Sequence, residues 1–456
     1  MANSFNDAHH FVIENNIINN TVIRSAPCST TSSLKELHSR IAAGAIHDSS
    51  ERCDDPKCHP DTRVAVQDEL YSWIVHGDQD QQPRKIKWVT GPAGSGKTAI
   101  MGSLAEKCGS EGLLGGSFFF SSSSPSPNRR TKTAFVLTLA YQFAQQHHSM
   151  KTAISRVIEE RPEVFGKTLP VQMKLLVLDP FREAAAQDHT SAMSQQKVII
   201  VDGVDECDTG RIAIWDADDD SKKPAAGVAA AQQIQTPMLE RLKDEDQLEV
   251  LQVLLQASSD PCFPFRILIA SRPERIFRLF FETGPFAPTL ILDEKYNPDA
   301  DIALFLEAKF TEIRRRHRLS SSWPPPHTIS TLVKNASGQF IYAATVVRFI
   351  TGSRKHNPYT LLDIVLGAKP KGLRSAMNPF AYLDALYSTI LRSCPDPGLS
   401  VSEPHCDIYD ALDIYPPARF INCWLETFDG EAEHLLGDLH SLHFTASRRR
   451  VFRGSI

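Results

Sequence analysis

The octapeptide Gly91-Pro92-Ala93-Gly94-Ser95-Gly96-Lys97-Thr98 constrains this chain more than any other stretch, because it fits G-x-x-x-x-G-K-[ST] and has the flanks such a loop needs. Lys85 to Thr90 reads as a strand before it, and Ile100, Met101, Leu104, Ala105 and Cys108 form an apolar helical stripe after it. A strand, a glycine loop and a helix in that order belong in a parallel sheet with helices on both faces. The glycines let the backbone bend tightly and turn several N–H groups inward, where phosphate oxygens can accept from them. On this reading Gly91 to Ala99 cradle the phosphates of a nucleotide. Lys97 reaches the β and γ phosphates, the Thr98 hydroxyl ligates a Mg2+ ion shared with them, and the following helix adds its N-terminal dipole.

A loop of this kind requires a second acid on a neighbouring strand. Val198-Ile199-Ile200-Val201-Asp202 is a continuous apolar run ending in a carboxylate, as expected of a strand buried on both faces whose last residue lies at the carboxyl edge of the sheet. Asp202 is therefore the expected partner of Thr98 in holding magnesium. Asp205 and Glu206 follow at once, and either could orient or deprotonate an attacking water. A third strand, Phe265 to Ala270, runs into Ser271-Arg272-Pro273-Glu274, and Arg272 at its end could touch the γ-phosphate.

Composition excludes several classes. The 456 residues are 42% hydrophobic and 23% charged with a net charge of -5, so no bulk basic field points to nucleic acid, and the length calls for two or three domains. Arg314 to Arg316 and Arg448 to Arg450 read as solvated local runs. No apolar stretch approaches the roughly 18 residues of a membrane span, and the polar N-terminus lacks the pattern of a signal peptide, which makes the expected location cytoplasmic. Nine cysteines, an odd number spread along the chain, suit reduced thiols. Cys53, Cys58 and His59 lie close together, but no second pair follows at zinc-finger spacing.

Along the chain, residues 1–32 read as a polar, asparagine-rich and disordered N-terminus, and 33–78 as a helical lead-in. A P-loop NTPase domain is expected over 79–296, α/β with a three-layer αβα arrangement and a mostly parallel central sheet. Within it, 209–246 reads as a polar insertion loop ahead of a helix around Leu248 to Leu255. A helical domain is expected over 297–395, with Ile302, Phe305, Leu306, Phe310 and Ile313 on one face of its first helix, and 396–456 reads as a partial winged-helix-like or irregular segment.

Taken in order, GPAGSGKT, VIIVDGVDEC and RILIASRPE resemble the nucleotide-binding core of NACHT-type NTPases in the STAND signal-transduction class. The fungal group with a nephrocystin-like N-terminal NTPase region is the nearest likeness. Further segments that resemble it include Lys57 to Arg63, Thr138 to Gln142, Asp301-Ile302, Gly338 to Ala344 and Leu383 to Tyr387. The resemblance implies a switch that binds ATP or GTP with Mg2+, hydrolyses it slowly, and couples nucleotide state to self-association or to protein partners. It also places Arg63 near the base or a phosphate. The chain departs from the pattern at the insertion, in lacking a histidine segment for the diphosphate state, and in showing no sensor repeats. The rival expectation is a truncated scaffold that holds nucleotide without turnover; a nucleotide kinase or mechanical ATPase is disfavoured because no lid or second substrate site is visible.

Overall fold

The computed structural model describes residues 29–52, 56–187, 197–209, 228–352, 357–370 and 381–392. Its regular elements begin with α1 (Ser29–Arg40), α2 (Val64–His76), β1 (Ile86–Thr90), α3 (Lys97–Ser110), β2 (Leu114–Phe119), α4 (Pro127–Arg130), α5 (Phe135–Gln146) and α6 (His148–Glu160). They continue with α7 (Leu169–Met173), α8 (Asp179–Gln187), β3 (Val198–Asp202), α9 (Val228–Ser259), β4 (Arg266–Ser271), α10 (Arg275–Thr283) and β5 (Leu290–Ile291). Among the described residues five helices follow without a strand: α11 (Pro298–His317), α12 (Thr328–Ala336), α13 (Phe340–Gly352), α14 (Pro358–Gly367) and α15 (Ala381–Arg392). The features expected at residues 1–28, at Cys53, across 210–227 and from 393 onward, the winged-helix-like segment and Arg448 to Arg450 included, lie outside the described residues.

The sheet has the order β2-β3-β4-β1-β5, and every pairing is parallel. Strands of β-branched and aromatic residues buried on both faces suit this arrangement, and each residue of β1, β3 and β4 is buried. Alternation then divides the side chains between two layers. Ile86, Trp88, Ile199, Val201, Ile267 and Ile269 share one apolar core with α1, α5, α6 and α9. Val89, Ile200, Leu268 and Ala270 share another with α2 and α3, where Leu70, Trp73 and Ile74 are also buried. The expected α/β class with helices on both faces of a parallel sheet is the class observed. β5, only two residues long, has no distinct sequence signal.

Two pairings set up the site. Thr90 at the end of β1 lies opposite Ser271 of β4, and Asp202 at the end of β3 lies opposite Ala270. The carboxyl ends of three strands therefore meet, and ligands in open parallel sheets bind beyond such edges. The helical region forms its own core from Ile302, Leu306, Phe310 and Ile313 of α11 with Leu332, Tyr342, Val346, Ile350 and Leu361, and Trp323 packs edge-on to Phe310 at 5.2 Å. Of the polar stretch read as an insertion loop, the half from Val228 is helical and continuous with α9. Its alanines, glutamines and leucines are strong helix formers, and that propensity outweighs the low hydrophobicity that makes the stretch look like a loop.

Candidate nucleotide site

Between β1 and α3 the backbone makes a tight turn that passes twice through the left-handed region, at Gly94 (φ 74°) and Gly96 (φ 93°). Gly94 is constrained a second way, because a Cβ there would stand 2.3 Å from Ile341 Cγ2. Ile100 N–H donates to Gly96 O at 3.0 Å and closes the first turn of α3, so the N–H groups of residues 97–99 precede any partner one turn back within the helix. Lys97 folds across the loop and donates from Nζ to Gly91 O at 2.7 Å and to Pro92 O at 2.9 Å. Burial pulls its ammonium below the usual lysine range, while Asp205 and Asp202 oppose that shift, which puts the cation in the field of both acids. Thr90 Oγ1 and Ser95 Oγ are buried at the loop without hydrogen-bond partners among the described residues.

Asp202 ends β3 with 2% of its surface exposed and accepts a hydrogen bond from the Thr98 side chain. Burial pushes its carboxyl up to about 7, against the pull of Thr98. A buried acid that resists ionisation and touches a threonine hydroxyl is a donor set a divalent cation would complete, since the cation's charge reverses the burial penalty. The loop, Lys97, Thr98 and Asp202 thus fit Mg2+ with a nucleoside triphosphate, by the chemistry of the donors and the unpartnered hydroxyls beside them. Among the described residues no group of three or more His, Cys, Asp or Glu could hold a metal, so the Thr98 hydroxyl and the phosphates would have to complete the ligand set with Asp202.

After Asp202 the chain turns at Gly203 (φ 70°), where a Cβ would crowd Phe120 O at 3.1 Å, into a single 3-10 turn, Val204–Glu206. The structure separates the two acids that the sequence leaves equivalent. Asp205 is buried and doubly engaged by Arg272, whose backbone N–H donates to Oδ1 at 3.1 Å and whose Nε lies 3.2 Å from Oδ2. Glu206 instead receives both its bonds on one oxygen, Oε2, from Ser122 N–H at 3.0 Å and from the Ser122 hydroxyl at 3.3 Å. Burial raises the Glu206 carboxyl, and the Ser122 N–H pulls the other way. Arg272 remains half-exposed while paired to Asp205.

The far side of the loop belongs to Arg63. It caps the start of α2 in a left-handed conformation (φ 56°), is 4% exposed, and donates from a terminal nitrogen to Ser95 O at 3.0 Å. Its guanidinium carbon stands 4.7 Å from the centre of the Phe340 ring, and its Nε lies 3.9 Å from Asp301 Oδ2. Burial lowers its basicity and raises that of Asp301, each against the pull of the other. Two of its nitrogens, Nε and a terminal one, have no hydrogen-bond partner among the described residues. Next to it, Ile341 N–H donates to Gly94 O at 3.3 Å. The helical region therefore meets the phosphate loop directly through Ile341 and by way of Arg63 through Asp301 and Phe340, a contact that sequence reasoning missed, since only the place of these residues in the resembling segments marks them.

Residues 64–221 match the family model described as Nephrocystin 3, N-terminal, a span of roughly a third of the chain that includes the loop, β3 and the acidic turn. No curated protein sequence matches the chain. Among solved structures, one described as that of C. elegans PCH-2 aligns with 12% identity over 73% of this chain and 71% of its own, at a TM-score of 0.30. Drosophila ORC bound to DNA aligns with 10% identity over 83% and 81% at 0.25, and a DNA replication initiation factor with 12% over 79% and 98% at 0.28. Scores this low carry no argument about the present chain. Among the described residues no helix is long and apolar enough to cross a membrane.

Proposed function

We propose, for a chain that carries the nephrocystin-3 N-terminal region of the P-loop NTPases, a Mg2+-dependent switch that binds a purine nucleoside triphosphate and hydrolyses it slowly. The observation that carries this reading is the meeting of the loop, the Thr98–Asp202 pair and the Glu206 carboxylate, whose Ser122 bonds both fall on Oε2, all at one sheet edge. Gly91 to Ala99 hold the phosphates with backbone N–H groups, and Lys97 exchanges the Gly91 and Pro92 carbonyls for the β and γ phosphate oxygens. Thr98 and Asp202 would ligate Mg2+, which when bound neutralises the charge growing between the β and γ phosphates. Glu206 Oε1 accepts the proton of a water whose oxygen attacks the γ-phosphorus as the β,γ-bridging oxygen leaves with the diphosphate. Arg272, steered by Asp205, reports on the γ-phosphate. ATP or GTP satisfies this chemistry equally, because every contact named is to phosphate.

Switching follows from the second face of the loop. Gly94 and Ser95 each offer a carbonyl to the helical region or to Arg63 beneath it, so a loop that changes shape with the nucleotide shifts the seat of α11 and α13. The output of such a switch is self-association or docking of a protein partner in the cytoplasm, as the family likeness implies. Nucleotide affinity and phosphate release, measured with ATP and GTP with and without Mg2+, test the reading. Lys97→Ala should weaken binding about 100-fold through loss of a charge-assisted contact. Glu206→Gln should bind normally and lose turnover by about 100-fold or more. Tight binding without turnover in the unmodified protein would overturn the switch in favour of a nucleotide-locked scaffold.

A further inference from the structure

Gln247 lies in α9, is completely buried, and points its amide at the acidic turn. Its Nε2 donates to Asp205 O at 2.9 Å and to Cys207 O at 3.2 Å, the carbonyls on either side of Glu206. Two carbonyl acceptors admit only the NH2 end of the amide, so the orientation is determined by the contacts. The peptide joining Asp205 to Glu206 is thereby held at both ends: Gln247 takes its carbonyl, and Gly203 O takes its N–H at 2.8 Å. Cys207 N–H completes the turn on Val204 O at 3.1 Å. The amide oxygen of Gln247 has no hydrogen-bond partner among the described residues. Burying an amide with its acceptor unmet is costly, and the two carbonyls its nitrogen satisfies, which an apolar side chain would leave unmet, offset that cost. The donors are what the position provides.

The same turn of α9 is pinned from its other side. Lys132, between α4 and α5, bridges Asp246 at 2.5 Å and Glu249, the neighbours of Gln247. The segment that carries Lys132 is itself tied to the end of the acidic turn, where Asp208 N–H donates to Arg130 O at 2.7 Å. We infer that Gln247 is a positioning residue for hydrolysis, which sets where the Glu206 carboxylate stands relative to the attacking water, with Lys132 holding α9 in register behind it. The inference rests on the turnover reading above and deepens it by one residue outside the loop and the acids.

Gln247→Met keeps the size of the side chain and removes both donors. Its turnover should fall about 10- to 100-fold while the affinity for a non-hydrolysable triphosphate stays within about twofold, because only the placement of the base changes. In a Glu206→Gln background the same substitution should cost nothing further, since it acts through Glu206. Lys132→Met should repeat the pattern more weakly, and it carries the test if Gln247→Met does not fold. Turnover by Gln247→Met equal to that of the unmodified protein overturns this inference alone, as does a parallel loss of affinity and turnover or an undiminished loss in the Glu206→Gln background. Absence of turnover in the unmodified protein overturns the proposed function and this inference with it.

Discussion

The two sides of the phosphate loop are built on opposite principles. On the acid side, Asp202, Asp205 and Glu206 crowd carboxylates at the end of a buried strand, and burial opposes the ionisation of both Asp202 and Glu206. On the helical side, Arg63, Asp301, Phe340 and Ile341 join the loop to α11 and α13 through a buried cation, a ring and a backbone bond. The first arrangement stores charge where a cation and phosphates would use it, at a cost to the free fold. The second contributes to holding the two regions together. The difference teaches that stability and turnover should separate cleanly when the two sides are changed in turn.

The largest effect should come from the acid side. Asp202→Asn removes the proposed magnesium ligand, and turnover should fall roughly 1000-fold with the Mg2+ dependence of nucleotide affinity lost. The melting temperature of the nucleotide-free protein should not fall, because the substitution relieves a buried carboxyl that Thr98 only partly compensates. A marked loss of stability would show that Asp202 is a structural acid and break the comparison. Next comes Arg63→Ala, which leaves Ser95 O and the Asp301 carboxylate without their cation and opens space under Phe340. Removing a buried cation whose carboxylate partner is partly exposed should cost about 2 kcal/mol, so thermal unfolding should shift down by several degrees. Single-turnover hydrolysis at saturating nucleotide should change much less than in Asp202→Asn.

The contrast extends to what could be read in advance. The loop, β3 and β4 are local patterns, and the rule that parallel sheets present their sites beyond the carboxyl ends of the strands then brings Lys97, Thr98 and Asp202 to one edge. The different surroundings of Asp205 and Glu206 could not be read, because their partners Arg272 and Ser122 stand 67 and 84 positions away. Gln247 was hidden for a related reason. It stands one residue past a stretch whose polarity marks it as an insertion, yet whose later half is helix and brings the amide onto the acidic turn. Arg63 was read as a nucleotide contact, whereas its described bond is to the carbonyl side of the loop at Ser95. The contact of Ile341 with Gly94 depends on two regions 247 positions apart coming together, and the glycine's role in the turn gives a sufficient local reason for its presence.

That contact supplies the smallest and sharpest test. Ile341→Ala keeps the backbone bond to Gly94 O and trims the side chain that rests on the glycine. Ile341 is only partly buried, so the loss should be about 1 kcal/mol, below that of a full core cavity. Its value lies in how it combines with nucleotide. If the helical region reads the loop through Ile341, the rise in melting temperature produced by saturating magnesium nucleotide should differ between Ile341→Ala and the unmodified protein, because the two ligation states would then seat α13 differently. If instead the packing is indifferent to nucleotide, both proteins should gain the same increment, and the coupling would have to run through Arg63 and Asp301 alone. Comparing the same increment in Arg63→Ala then assigns the coupling to the cation, to the isoleucine, or to both acting as a unit.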